Sequence, residues 1–194
     1  MRELKSVEEK ILDRALYLIG RNGASNVPIR AIAKEAGVNV SAVNYYFRTK
    51  EEMMKQVQEF YIHNTLEAYN ILDNDSYSNE EKVILCANEI MEYSIRYPGV
   101  IVIQKEAAYE VEKSEMASRI IEVTEEMNSK LDKVLLNVLG CSQEEFVFNR
   151  MIFLSSILHP VNNMGPLQFS NDSILDRDTR LQYIKFIICK LKRN

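Results

Sequence analysis

Few side chains in this sequence are placed to make or break covalent bonds. Cys86, Cys141 and Cys189 are scattered, odd in number and without paired spacing, which argues against a disulfide framework or a zinc site. They read as ordinary packing thiols. His159 has no Cys, His or carboxylate at ligand spacing, so no metal site is expected there. No G-x-S-x-G, phosphate loop, dinucleotide fingerprint or H-E-x-x-H occurs, and the sequence predicts neither an enzyme nor a cofactor. The chemistry on offer is recognition. Asn44 carries an amide that can pair bidentately with adenine, and Arg30 a guanidinium that can do the same with guanine. Lys50 places a cation at a helix start, a position suited to anions. The acidic run Glu106, Glu110, Glu112 and Glu115 reads as a solvated face.

Those recognition residues need elements to hold them, and the elements can be read in order. Ser6-Val7-Glu8-Glu9 is a capping box that opens a helix with Val7, Ile11, Ala15, Leu18 and Ile19 at helical spacing. Asn22-Gly23 closes it. A short helix follows from Pro28, with Ile29, Ile32, Ala33 and Ala36 apolar, and Gly37 ends it. The next helix starts around Asn39 or Ser41 and runs to Phe47. Two short helices joined by a glycine turn make a helix-turn-helix pattern, whose second helix enters the DNA major groove. Its outward side carries Val40, Ser41, Asn44 and Tyr45, while Val43 and Phe47 face the core. Thr49-Lys50-Glu51-Glu52 is a second capping box, opening a long helix through about Leu72 that leads out of the recognition unit.

Ile-Arg-Ala-Ile-Ala-Lys-Glu-Ala-Gly-Val (29–38) followed by Val-Asn-Tyr-Tyr-Phe-Arg-Thr-Lys-Glu-Glu-Met (43–53) closely resembles the TetR family of transcriptional regulators. The resemblance takes in Ile11 to Gly23 and covers about the first quarter of the chain. It implies that Tyr45, Tyr46, Thr49 and Lys50 meet DNA phosphates, with Tyr46 weighed evenly between contact and packing. Arg48 and Lys55 read as solvated charges, and Arg2 and Lys5 as a frayed basic arm. Two departures stand out. Pro28 occupies a position where the family commonly has a threonine cap, and Asn44 replaces a common tyrosine, which implies a different sequence preference.

The remainder predicts helices at about 50–72, 79–97, 99–111, 114–139, 143–159 and 176–192, with His159-Pro160 ending one of them. Only six glycines and four prolines punctuate 194 residues, and no alternating β-rich runs appear. The expected fold is all-α, about nine helices: a helix-turn-helix DNA-binding domain at 1–50 and a helical effector-binding and dimerisation domain at 51–194. No apolar run reaches membrane-spanning length and no signal peptide opens the chain, so a cytoplasmic protein without membrane partners is expected. The net charge of −4 is divided unevenly. Residues 1–55 hold ten Lys/Arg against seven Asp/Glu, leaving the excess of acid in the rest. A basic head on an acidic body suits nucleic-acid binding at one end.

Two late helices carry more apolar surface than one-sided packing needs. Val147, Met151, Leu154 and Leu158 line one, flanked by Phe146, Phe153 and Ile157. Leu181, Ile184, Ile188 and Leu191 line the other, beside Tyr183, Phe186 and Ile187. Burial on two sides implies a partner, and the resemblance implies that the partner is a second copy, two heads facing a palindromic double-stranded operator. Tyr93, Tyr97, Gln104, Tyr109, Met116, Met127, Phe153, His159 and Met164 are candidates for lining a small-molecule effector pocket, each weighed against plain packing. The expected function is a DNA-binding repressor released by a ligand. The rival is a helical small-molecule-binding protein or enzyme whose N-terminal motif is not used on DNA. A helical protein-binding adaptor is disfavoured by the outward residues of the recognition helix.

Overall fold

The computed structural model describes residues 6–162 and 172–192. Within them the chain forms nine α-helices and no strand: α1 (Val7–Asn22), α2 (Ile29–Ala36), α3 (Val40–Tyr46), α4 (Lys50–Tyr69), α5 (Asn79–Arg96), α6 (Val100–Glu110), α7 (Glu115–Leu139), α8 (Gln143–Asn162) and α9 (Arg177–Leu191). It is all-α, as the scarcity of glycine and proline predicts. Arg2, Lys5 and Met164 lie outside the described residues. Two compact units form, one of Met1–Thr65 with Arg96–Thr124, the other of Leu66–Ile95 with Glu125–Asn194. The expected functional boundary at residue 50 is where α4 starts; the first unit continues along α4 to Thr65.

In the first unit, Ser6 caps α1 by accepting from the Glu9 amide at 3.1 Å. The helix buries Ile11, Leu12, Ala15, Leu16 and Ile19, whereas Val7 is exposed and Leu18 half-buried. The buried stripe is broader than the expected one because α1 packs against α2 and α3 and also against α6. At the α6 contact the backbones nearly touch. A Cβ on Gly20 would stand 2.2 Å from the Gly99 nitrogen, and one on Gly99 would stand 2.2 Å from the Leu16 carbonyl oxygen. Only hydrogen fits at either position. Beside it Asp13, 1% exposed, accepts from Arg14 Nε at 2.6 Å, Arg96 Nη2 at 2.6 Å and the Tyr97 hydroxyl at 2.7 Å. A buried carboxylate is tolerable only when paired and hydrogen-bonded in this way. Burial, with the bond to Asp13, pushes the Tyr97 hydroxyl well above the usual phenol range, so it remains a donor.

The second unit is held by α7, α8, α9 and most of α5. Leu131, Leu135 and Leu139 of α7, Phe146, Phe153 and Ile157 of α8, and Ile184, Ile187 and Ile188 of α9 are buried. Arg180, 4% exposed, is fully spent inside it: Nε donates to Asn88 Oδ1 at 3.2 Å, Nη1 to the Leu175 carbonyl at 2.7 Å, and Nη2 to Glu92 Oε2 at 2.9 Å. Pro160 corrects an expectation. It does not end α8, which continues through it to Asn162. Proline has no N–H to give the carbonyl four residues back, that of Ser156. The Tyr183 hydroxyl of α9 donates to that carbonyl at 2.9 Å instead. The proline costs α8 one hydrogen bond, and the packing of α9 replaces it.

Candidate nucleic-acid interface

The first unit builds one surface with the chemistry of DNA recognition, and local rules shape each part of it. α2 starts after Pro28, whose carbonyl accepts from Ala31 at 2.9 Å and whose side chain caps nothing. The helix buries Ile32, Ala33 and Ala36 and leaves Arg30 exposed. Gly37 then adopts φ 67°, a left-handed conformation that favours glycine, and Val38 N–H closes onto the Ala33 carbonyl at 3.0 Å. Asn39 at once caps the next helix, its Oδ1 accepting from Ala42 N–H at 2.7 Å. The turn between α2 and α3 is thereby specified on both sides. A cap of this kind is worth about 1 kcal/mol.

α3 is anchored from below by Val43 and by Phe47 at its end, both almost fully buried. Each contributes about 1.5–3 kcal/mol of apolar burial. The opposite side is open: Val40, Ser41, Asn44 and Tyr45 are exposed, Tyr45 at 81%. Tyr46 is exposed as well, edge-on to Tyr45 with ring centroids 5.3 Å apart. Thr49 Oγ1 accepts from Glu52 N–H at 3.1 Å and caps α4, while the Glu52 carboxylate accepts from Gln56 Nε2 at 3.3 Å. Lys50 follows, its ammonium hydrogen-bonded to the Asn26 side-chain oxygen. Asn26, in the α1–α2 connection, has no pattern in the sequence that marks it; only the fold brings it to Lys50.

The residues considered for a ligand pocket are distributed between the units. Tyr97, Gln104 and Tyr109 fall in the first; Tyr93, Met127, Phe153 and His159 fall in the second. Tyr97 is committed to Asp13, and Gln104 donates to the Tyr61 hydroxyl at 2.9 Å. Tyr109 is 87% exposed and His159 is exposed, while Met127 and Phe153 are core and Tyr93 is half-buried. Of the residues considered for a dimer face, Val147 and Met151 are exposed, and Leu154, Leu158, Leu181 and Leu191 are half-buried. Ile184 and Ile188 are fully buried within their own unit. Phe148, Ile152 and Phe186 are the exposed large apolar side chains that accompany Val147 and Met151. Phe148 and Ile152 repeat the i, i+4 spacing of Val147 and Met151 one residue on, which is the signal that marks them. Among the described residues no helix is long and apolar enough to cross a membrane, and no group of three or more potential metal ligands occurs.

Residues 11–57 match the family model described as bacterial regulatory proteins, tetR family. Among relatives, a probable HTH-type transcriptional regulator, YttP, of Bacillus subtilis is 37% identical over 93 residues. That stretch covers 45% of this chain and 44% of YttP, less than half of the relative's length. The nucleoid occlusion factor SlmA of Vibrio campbellii is 26% identical over 154 residues, 79% of each chain. Among solved structures, the ketosteroid transcriptional regulator KstR2 of Mycobacterium tuberculosis superposes with a TM-score of 0.73 at 15% identity. The superposition covers 99% of this chain and 98% of that one, so the two share a fold.

Proposed function

We propose that this chain, whose residues 11–57 match the bacterial regulatory proteins of the tetR family, is a sequence-specific repressor of that kind. It occupies a palindromic operator as a homodimer and leaves it when a small molecule binds. The observation that carries this reading is the division of α3 into two sides. Val43 and Phe47 fix the helix to the head, Ser41 and Asn44 stand free to reach base edges, and Tyr45 is exposed beside them towards the phosphates. Thr49 and Lys50 flank them as phosphate contacts, which set register without reading sequence. The exposed apolar row of α8 (Val147, Phe148, Met151 and Ile152) with Phe186 of α9 supports pairing of two copies. Pairing presents two recognition helices to two half-sites.

Selection of bound sequences from random DNA by the purified full-length protein tests the proposal. Enrichment of an inverted repeat, with half-sites one helical turn or a multiple apart, is the expected outcome. Recovery of unenriched DNA with salt-sensitive binding only would leave a non-specific binder and reject the reading.

A further inference from the structure

One buried polar group in the first unit has no partner, and a directed chain of hydrogen bonds lies beside it on the same helix face. Thr124 Oγ1 donates to the Ile120 carbonyl at 2.7 Å, which uses its single proton. In the 3.2 Å contact between Tyr61 and Thr124 the tyrosine must therefore be the donor. The Tyr61 oxygen in turn accepts from Gln104 Nε2 at 2.9 Å. The order is fixed from α6 through α4 to α7: Gln104 to Tyr61 to Thr124 to the Ile120 carbonyl. Asn64 lies three residues beyond Tyr61, on the same face of α4. It is 8% exposed, and its side-chain nitrogen is buried with no hydrogen-bond partner. Leaving such a donor unsatisfied costs about 1–3 kcal/mol, so an acceptor delivered from outside the chain has that much to recover.

We propose that Asn64 is the polar anchor of an effector site in the first unit, with Gln104 and Tyr61 beside it, and that the effector is a neutral, largely apolar molecule bearing a carbonyl oxygen. This deepens the ligand-released reading above and rests on it. Charge selects the class. Among the described residues of this unit the only buried ionisable side chain apart from tyrosine is Asp13, already paired with Arg14 and Arg96. An anionic ligand would meet no free buried cation and a cationic one no free carboxylate, and burying either unpaired is strongly unfavourable. A carbonyl oxygen takes the orphan N–H without bringing a donor of its own that needs a partner. The apolar body suits a unit whose buried residues on α4, α6 and α7 include Phe60, Ile103, Ile120 and Val123.

The test compares four probes of similar size on the full-length protein by calorimetry and thermal shift: methyl nonyl ketone, cyclododecanone, undecane and decanoate. A ketone is expected to bind and raise Tm, with undecane weaker and decanoate silent. In Asn64→Leu the preference for ketone over undecane should fall about tenfold; Asn64→Ala serves if the leucine variant does not fold. Perturbation of the Asn64 side-chain amide resonance by the ketone, in wild type labelled at asparagine, gives a readout that needs no variant to fold. An unchanged preference in the variants, an unmoved amide resonance, or equal binding of ketone and undecane overturns the proposal. So does failure of both ketones to bind a protein that still holds its operator, which leaves the DNA-binding reading standing. Loss of operator binding in wild type would instead reject that reading.

Discussion

Asn44 and Lys50 are six residues apart and are expected to fail differently when removed. Asn44 stands on the free side of α3, where an amide can read one base. Asn44→Ala should relax preference at a single operator position, at about 1–3 kcal/mol for the favoured base, when binding is measured across single-base variants. In the proposed reading Lys50 contributes charge towards a phosphate and reads no base. Lys50→Ala should weaken all sequences alike and flatten the dependence of log affinity on log salt by about one unit per protomer. Equal losses on every sequence from both variants would contradict the division of roles. The cysteines give a second prediction at this scale. Cys189 is exposed, Cys141 is half-buried, and Cys86 is buried with its thiol pushed far above the ordinary range by desolvation. A disulfide reagent should label Cys189 at once and Cys86 only on unfolding, even at alkaline pH where a free thiol would ionise. Rapid modification of Cys86 in the native protein would show that its surroundings open.

At the level of the helix, the head was legible because its signals are local. Gly37, Asn39, Thr49 and the apolar spacing of Ile32, Val43 and Phe47 each act within a few residues, and the caps form where those residues stand. What was not legible depends on distant partners. The face of α1 is broader than its periodicity suggests because α6, some eighty residues later, packs on it. The chain through Gln104, Tyr61 and Thr124 joins three helices and leaves no spacing to detect, and nothing local marks Asn64 as buried without a partner. Pro160 is the clearest case. By local rules it stops a helix, yet Tyr183 on α9 supplies the missing donor to Ser156. Tyr183→Phe should then cost about 1 kcal/mol in denaturant unfolding. Restoring an N–H with Pro160→Ala in the same chain should recover much of that loss. Additive effects in the double-mutant cycle would show that the two residues are not linked.

For the molecule as a whole, the exposed side of α8 and α9, proposed above as the pairing face, and their buried side predict different losses. Phe148 is 68% exposed and Met151 60%, whereas Ile188 has no exposure. Phe148→Glu should leave the helical circular dichroism unchanged, give a monomer in light scattering, and reduce operator affinity by 100-fold or more, on the order of an effective-concentration advantage. Ile188→Glu should unfold the second unit instead. A wild-type monomer at micromolar concentration would remove the basis for the two-half-site reading. The near contact of Gly20 and Gly99 has a consequence for how the chain tolerates change. Neither glycine is exposed on α3 or the α8 face, so a map of binding surfaces would pass over both. Yet every other amino acid adds at least the Cβ that the Leu16 carbonyl and the Gly99 nitrogen exclude. A saturation library selected for repression should therefore show two empty columns at these positions, as bare as any base-reading residue. Tolerance should return only in chains where α1 and α6 have been respaced together.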